Sequence, residues 1–374
     1  MSANNDRDRP RVLVAMSGGV DSSLAAALLK EQGYELIGAT IKTFCYAEHP
    51  GSSKTCCGLE GIADARSVAQ RLDIPHYVFD LEDEFTRDVI DDFVAEYAEG
   101  RTPNPCVRCN SHTKFRDLLR RAQMLGCDRI ATGHYARCER VDGRVRLMRA
   151  ADRSKDQTYF LWGIDRTVLE RLELPLGELT KTEVRRRARQ LGLQTADKPE
   201  SFDICFVPDG DYRGFLAQRL SPDHDAFLPG PITTLAGERV GTHQGYSRFT
   251  VGQRRGLPGG FSEPMYVVDI EPQTRSVLIG PADALEATRV TIADQNWLAD
   301  PPPIGSAVSV QVRHRGHEVA GLIEDSGAER TVIRLHGSHR AITPGQSAAV
   351  YDGEVLLGGG RIARERRLLP IAST

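Results

Sequence analysis

"RVLVAMSGGVDSSLAAALLKEQG", residues 11–33, decides the fold. "RVLVAM" (11–16) is an apolar run of strand length, and "SSLAAALLKEQG" (22–33) has a helical pattern that Gly33 stops. Between them lies "MSGGVDSS" (16–23), a loop of small and polar residues. A loop that leads from a strand into a helix gathers the amides of the helix's first turn at one point. The helix dipole favours an anion there. Gly18 and Gly19 let the backbone come close to phosphate oxygens, and Ser17, Ser22 and Ser23 add hydroxyl donors. Asp21 would repel a bare phosphate, so it makes sense with Mg²⁺ lying between. The lysine of G-x-x-x-x-G-K-[ST] is missing, and so is G-x-G-x-x-G, which excludes those two phosphate motifs. On its own the loop also fits a simple helix-capping turn.

Working outward, the alternation continues. "ELIGATI" (35–41), "HYVFD" (76–80) and "DRIATGH" (128–134) read as strands. Helices are expected within 59–73, within 82–99 and within 111–125. This predicts an α/β fold with a parallel sheet and helices on both faces. After about residue 210 the chain becomes Gly-rich and short-stranded. From about 285 it reads as strands with alternating polarity and turn residues, as in a small β-barrel. The expected domains are 1–210 (nucleotide-binding and catalytic), 211–284 (small and mixed) and 285–374 (β-barrel).

A length of 374 residues suits two or three domains, and 40% hydrophobic with 26% charged residues is the composition of a water-soluble protein. No apolar run approaches the roughly 20 residues of a membrane span. "MSANNDRDRP" has no apolar signal core, so a cytoplasmic protein, monomeric or weakly oligomeric, is expected. The net charge of −3 excludes a uniformly basic surface. Charge is uneven, however: residues 81–100 hold eight acids and one base, whereas 181–190, 254–255, 313–315 and 361–367 are basic. Such patches can neutralise phosphates locally.

Eight cysteines (45, 56, 57, 106, 109, 127, 138 and 205) fit a reducing compartment. Cys127 and Cys138 read as small buried hydrophobes, and Cys56 and Cys57 carry no assigned role. Cys106 and Cys109 in "NPCVRCN" (104–110), and Cys205, lie in polar, loop-like contexts and are the candidates for chemistry. Spacing alone leaves zinc, a redox dithiol and sulfur transfer open. A structural zinc site wants four ligands, which the adjacent Cys56 and Cys57 complete poorly.

"SGGVDSS" resembles the S-G-G-x-D-S signature of the PP-loop ATP pyrophosphatases. Together with "TPNPCVRCN…KF" (102–115), "ATGHYAR" (131–137), "KDQTYFL" (155–161), "ICF" (204–206), "HQG…FTVGQRRGL" (243–257) and "TPGQ" (343–346), nearly the whole chain resembles the tRNA-specific 2-thiouridylase (MnmA/TrmU) family. The resemblance implies a tRNA-uridine 2-sulfurtransferase. The uridine 2-carbonyl oxygen is adenylated by ATP, and sulfur replaces it at the wobble position. By position it implies Cys109 as nucleophile and Cys205 as persulfide carrier. It places ATP at Ala15, Met16, Ser17, Gly18, Gly19, Val20, Asp21 and Ser22, with Ile41 and Gly133. It implies contact with the target base at Asn104, Pro105 and Cys106, and with tRNA at His134, Lys155, Asp156, Gln157, Arg313, His314 and Gln346. The implied partners are the tRNA anticodon arm and a sulfur donor such as a cysteine desulfurase or relay protein.

One departure stands out: many relatives have Asp where this chain has Cys106. Two readings stay open. Cys106 and Cys109 could form a disulfide off the catalytic path. Alternatively, Cys106, Cys109 and Cys205 could ligate a 4Fe–4S cluster with one iron left for hydrosulfide. The competing functions are a PP-loop ligase or amidotransferase, which does not need the cysteines, and a non-catalytic nucleotide-dependent RNA-binding protein. No RNA-recognition or KH signature is present, so a composite basic surface is expected to grip the RNA while the wobble base is unstacked into the pocket.

Overall fold

The computed structural model describes residues 9–43, 59–199, 204–207, 210–340 and 342–365. The chain opens with β1 (Arg11–Ala15), α1 (Val20–Glu31), β2 (Glu35–Lys42), α2 (Leu59–Arg71) and β3 (His76–Asp80). Next come α3 (Glu82–Phe85), a π-helical stretch Thr86–Ile90 and α4 (Asp91–Ala98). Then α5 (Pro105–Arg108) runs through π-helical turns, Cys109–Arg116, into α6 (Asp117–Met124). After these come β4 (Arg129–Ala131), β5 (Ala136–Val141), β6 (Arg144–Arg149), α7 (Arg166–Leu169), β7 (Leu172–Glu173), α8 (Lys181–Gln190) and α9 (Tyr212–Arg219). The rest is β: β8 (Pro229–Thr234), β9 (Arg239–Gln244), β10 (Tyr266–Glu271), β11 (Ser276–Gly280) and β12 (Glu286–Trp297). The last strands are β13 (Ala307–Gln311), β14 (Val319–Ser326), β15 (Arg330–Arg340), β16 (Ser347–Asp352) and β17 (Val355–Ile362). Among the described residues no helix is long and apolar enough to cross a membrane.

Two compact units result. The first comprises 1–89, 106–210 and 354–356, and the second 90–105, 211–353 and 357–374. The first unit holds a five-stranded sheet in the order β3-β2-β1-β4-β7, parallel throughout. Val12, Leu13 and Val14 of the central strand are fully buried, as a strand covered on both faces requires. Leu24, Ala25, Ala26 and Leu28 of α1 join the same core as Val184 and Ala188 of α8. The parallel sheet expected from sequence is the one observed.

One local reading needs correction, one is refined, and one element was passed over. "NPCVRCN" was expected to be a loop, but from Pro105 onward it is helical. Proline at the first helical position brings a preset φ and lacks an N–H that would have no partner there anyway. The expected acidic helix within 82–99 is present as one continuous helical run from Glu82 to Ala98, with π-helical turns at Thr86–Ile90 in its middle. Finally, β5 and β6 form a hairpin that the sequence reading passed over. Its Asp142-Gly143 turn has φ of 50° and 78°, which short polar residues and glycine tolerate.

The second unit contains a four-stranded sheet, β10-β11-β8-β9, whose core includes Ile232, Tyr246, Val267, Val277 and Ile279. It also contains a six-stranded barrel, β12-β15-β14-β13-β16-β17, closed by β12 against β17. Inward residues Val290, Ile292, Val310, Ile323, Ile333 and Val350 fill the barrel. Among the described residues, closure pairs β12 and β17 with each other, so neither end of the six-stranded barrel is left open. The small mixed domain and the C-terminal barrel of the sequence reading are both present. Residues 90–105 belong to this second unit although they precede most of the first in sequence.

Candidate active site

The glycine–serine loop leaves β1 where the sheet hands the chain to α1. The Met16 amide donates to Ala39 on β2 at 2.7 Å. The Thr40 hydroxyl donates to the Met16 carbonyl at 2.6 Å and lies 2.9 Å from His76 Nε2. Burial, assisted by Arg66, lowers the His76 pKa, so the ring is neutral at physiological pH. Thr40 has one proton and commits it to Met16, so His76 Nε2–H is the donor to Thr40. This relay fixes the carbonyl at the loop's entrance.

Gly19 caps α1 with extended backbone, φ −92° and ψ 164°, and without a side-chain bond. The hydroxyls of Ser22 and Ser23 donate back to the Gly19 carbonyl at 3.2 and 2.8 Å. The Ser17 amide donates to Ser22 Oγ at 3.1 Å. Gly18 has φ +74°, and a Cβ on it would lie 2.2 Å from the Gly61 carbonyl oxygen. A Cβ on Gly133 would lie 2.7 Å from both Asp21 C and Ser22 N. Both glycines are therefore dictated by close backbone approach, and Gly133 rests directly on the start of α1. Ile41 lies two residues beyond Ala39 on β2, the strand to which Met16 is bonded. The structure thus gathers Ala15 to Ser22 with Gly133 around one helix N-terminus.

Asp21, in the first turn of α1, accepts a hydrogen bond from the Tyr135 hydroxyl at 2.7 Å. The Lys181 ammonium donates to both carboxylate oxygens at 2.7 Å. That ammonium also sits 5.6 Å over the Tyr135 ring. Lys181 is the first residue of α8. Thr180 and Glu183 form a capping box there, and the Lys181 amide donates to the Asp152 carboxylate at 3.0 Å. The sequence reading gave the 181–190 cluster to RNA alone and missed Lys181 and Tyr135 as neighbours of Asp21. The T-x-x-E of "TKTE" could have placed Lys181 at a helix start. Further along α8, Arg185 donates to the Ala196 and Lys198 carbonyls and Arg189 pairs with Asp197.

Cys106, Cys109, Cys127, Cys138 and Cys205 are all thiols. Cys106 is exposed and Cys109, one helical turn on, is buried. Phe206, beside Cys205, packs edge-on against Phe85 of α3 with ring centroids 5.7 Å apart. The π-helical segment that begins at Cys109 also contacts α3. The segments that carry the two candidate thiols therefore meet the same short helix from different parts of the chain. Burial pushes Cys127 up to about 11 and Cys138 up to about 12, so both stay protonated; Cys127 is buried as the sequence reading had it, whereas Cys138 is half-buried. Cys45, Cys56 and Cys57 lie outside the described residues.

Among the described residues, no three of His, Cys, Asp and Glu are gathered as a metal-ligand set. The trio Cys106, Cys109 and Cys205 is thus not assembled as cluster ligands. The helical geometry gives a reason: it turns Cys106 to solvent and Cys109 inward.

The expected RNA contacts divide by exposure. Arg313 and His314 stand exposed between β13 and β14, beside exposed Arg315 and His317. The Asp156 carboxylate, by contrast, is buried against Arg149 at 2.9 Å and accepts from the Ala150 amide and the Thr158 hydroxyl. Gln157 Oε1 accepts from the Tyr135 amide at 2.8 Å, which steadies the residue that holds Asp21. These two side chains are thus used inside the protein. Lys155 is half-buried in the turn after Asp152. Burial, with Lys114 nearby, pulls His134 down to about 3, so it offers RNA a neutral ring and no cation. Thr132 Oγ1 lies 2.8 Å from its Nδ1. Pro105 is buried and Asn104 half-buried at the head of α5. Gln346 turns its amide to the Thr102 and Pro103 carbonyls.

Residues 10–209 match the family model described as a tRNA methyl transferase HUP domain. Residues 213–281 match its PRC-barrel domain, and 287–362 the aminomethyltransferase beta-barrel domain. The tRNA-specific 2-thiouridylase MnmA of Geotalea uraniireducens is 46% identical over 367 residues, covering 97% of this chain and 96% of its own. That of Chloroflexus aurantiacus is 48% identical over 355 residues, 94% and 98%. The solved U34-tRNA thiolase NcsA of Methanococcus maripaludis, with its [4Fe-4S] cluster, covers 59% of this chain and 71% of its own. Its TM-score of 0.35 and 18% identity are too low to carry a conclusion here. Relatives this similar, aligned from end to end across all three domains, show that the chain belongs to the tRNA-specific 2-thiouridylase MnmA family.

Proposed function

We propose that the protein thiolates the 2-position of the wobble uridine in tRNA, using ATP. The observation that carries this reading is the phosphate-cradling loop at the head of α1, in a chain 46–48% identical to 2-thiouridylases over nearly its full length. The alternatives, a ligase of another substrate or a non-catalytic RNA-binding protein, leave these relatives unexplained.

A carbonyl oxygen is a poor leaving group, and adenylation replaces it with AMP. The uridine O2 attacks the α-phosphorus of ATP, and pyrophosphate departs. The first-turn amides of α1 receive the phosphates, and Gly18 and Gly133 let the neighbouring backbone pack closely enough to fix the loop in place. Mg²⁺ fits at Asp21, a carboxylate at the mouth of an anion site, and supplies charge neutralisation to the phosphates when bound. Lys181, which holds Asp21 at that mouth, would add a positive charge beside the triphosphate.

The terminal sulfur of a Cys205 persulfide then attacks C2, and AMP leaves. The Cys109 thiolate attacks Cys205 Sγ, which frees 2-thiouridine and forms a Cys109–Cys205 disulfide. An external thiol reductant restores both thiols, and a sulfur donor recharges Cys205.

The test is incubation of the protein with ATP, Mg²⁺, a persulfide source and unmodified tRNA, followed by nucleoside mass spectrometry. One oxygen replaced by one sulfur at the wobble uridine is expected. Pyrophosphate release without thiolation, with normal turnover by a Cys109→Ser, Cys205→Ser variant, would overturn the assignment.

A further inference from the structure

The residues that lead into α5 are held by the barrel. The Thr102 amide donates to the Pro344 carbonyl at 2.9 Å. The Gln346 side-chain amide donates to the Thr102 and Pro103 carbonyls at 3.1 and 3.0 Å. Gly345, at φ +90°, lies so close that a Cβ would sit 2.9 Å from the Thr102 amide nitrogen and carbonyl oxygen. Just upstream, Arg364 donates to the Glu99 and Gly100 carbonyls at 3.0 and 3.1 Å. Arg361 pairs with Asp92 at 2.8 Å and with Glu96 at 2.5 Å, and Arg101 closes on the same Glu96. The Glu96 side chain is only 3% exposed, so it is a buried carboxylate matched by two guanidiniums.

Apart from the Arg101–Glu96 pair, which lies within the strap, these contacts join the strap 91–103 to residues 343–364. The strap then continues without a break into Asn104, Pro105 and the helix of Cys106 and Cys109. Pro103 and Pro105 restrict the backbone between Thr102 and Pro105. A displacement at Thr102 is therefore passed along the chain and not absorbed locally.

We propose that Gln346 is a positioning residue: its two hydrogen bonds set the register of Thr102–Asn104 and hence the presentation of the thiol-bearing helix. This rests on the thiolation reading for the role of Cys109, but the hold on the strap does not. The barrel then takes part in catalysis and is more than a surface for RNA. A residue that only touched RNA would leave the RNA-free protein unchanged.

The experiment therefore starts with the full-length protein without tRNA. Gln346→Glu keeps the shape but removes both donors and places a carboxylate against two carbonyls. Hydrogen exchange of the Thr102 amide and alkylation of the Cys106 and Cys109 thiols are followed in both proteins. Both rates should rise about tenfold in the variant, the loss expected for two hydrogen bonds of ordinary strength. With tRNA and ATP, kcat should fall more than tRNA affinity, and Gln346→Asn should recover part of it. If exchange and alkylation are unchanged while tRNA affinity alone falls, Gln346 is an RNA contact and the proposal fails. If the variant does not fold, exchange in the wild type still decides: an unprotected Thr102 amide would show that the 343–346 turn does not hold the strap and would overturn the proposal. Absence of thiolation in the wild type would remove the catalytic consequence but leave both RNA-free measurements valid.

Discussion

At the scale of single residues, Asp21 and Lys181 are the informative pair. Lys181 has 12% side-chain exposure and Asp21 32%, so the pair is partly withdrawn from water and its charges are less screened than a surface pair. Lys181→Ala should raise the KM for ATP by about tenfold to a hundredfold, the range of a charged hydrogen bond, with a smaller effect on tRNA affinity. Pyrophosphate release measured against ATP concentration checks this; an unchanged KM would remove Lys181 from the nucleotide site. The loop itself was legible because glycine, serine and aspartate each answer a need of phosphate binding. Lys181 was not, because a lysine at the head of an arginine-rich helix reads as one more surface cation. Only the fold brings it 160 residues back to Asp21.

At the scale of elements, the π-helical turns Cys109–Arg116 and the segment after β4 are packed together, with the Phe115 and His134 rings 5.4 Å apart. His134 is held neutral there. Its folded pKa of about 3 lies below the ordinary 6.5, so the unfolded chain binds the proton more readily. The stabilisation is complete above pH 6.5 and is lost as pH falls from 6.5 towards 3. His76 and His243, whose pKa values are also lowered by burial, act in the same direction. The unfolding temperature should thus fall from pH 7 to pH 4.5, and less steeply in His134→Gln, which cannot take up the proton. Equal slopes would show that His134 is not held neutral. Strands and helices with clear periodicity, such as 76–80 and 20–31, could be read from sequence. The π-helical turns could not: their periodicity is local, and π-helical turns are rare enough that an α-helix or a loop is the natural reading. The Asp-Gly hairpin turn was readable but overlooked.

At the scale of the whole molecule, the order of α/β, mixed and barrel segments was visible in the change of period and glycine content. The exchange of residues 90–105 into the second unit was not, because the acids that bind Arg361 and Arg101 look like an ordinary solvated helix face. The exposed Arg313, His314, Arg315 and His317 form a basic loop suited to phosphates. Affinity for tRNA should fall steeply with salt. Arg313→Ala should weaken binding and lower the salt slope by about one per phosphate contact removed. A binding titration at several ionic strengths measures both; a slope that did not change would place the RNA elsewhere.

The strap has one more consequence, for synthesis. Arg361 and Asp92 are separated by 269 positions, and Gln346 and Thr102 by 244. A polypeptide leaving the ribosome meets Glu96 early and its arginine from β17 almost last. Until then Glu96 has Arg101 beside it but lacks Arg361, and a nascent chain halted before residue 343 would lack the partners that Pro344, Gln346, Arg361 and Arg364 supply. Vectorial folding of this enzyme therefore ends where it began, with the last strand reaching back to seat the stretch that precedes the thiols.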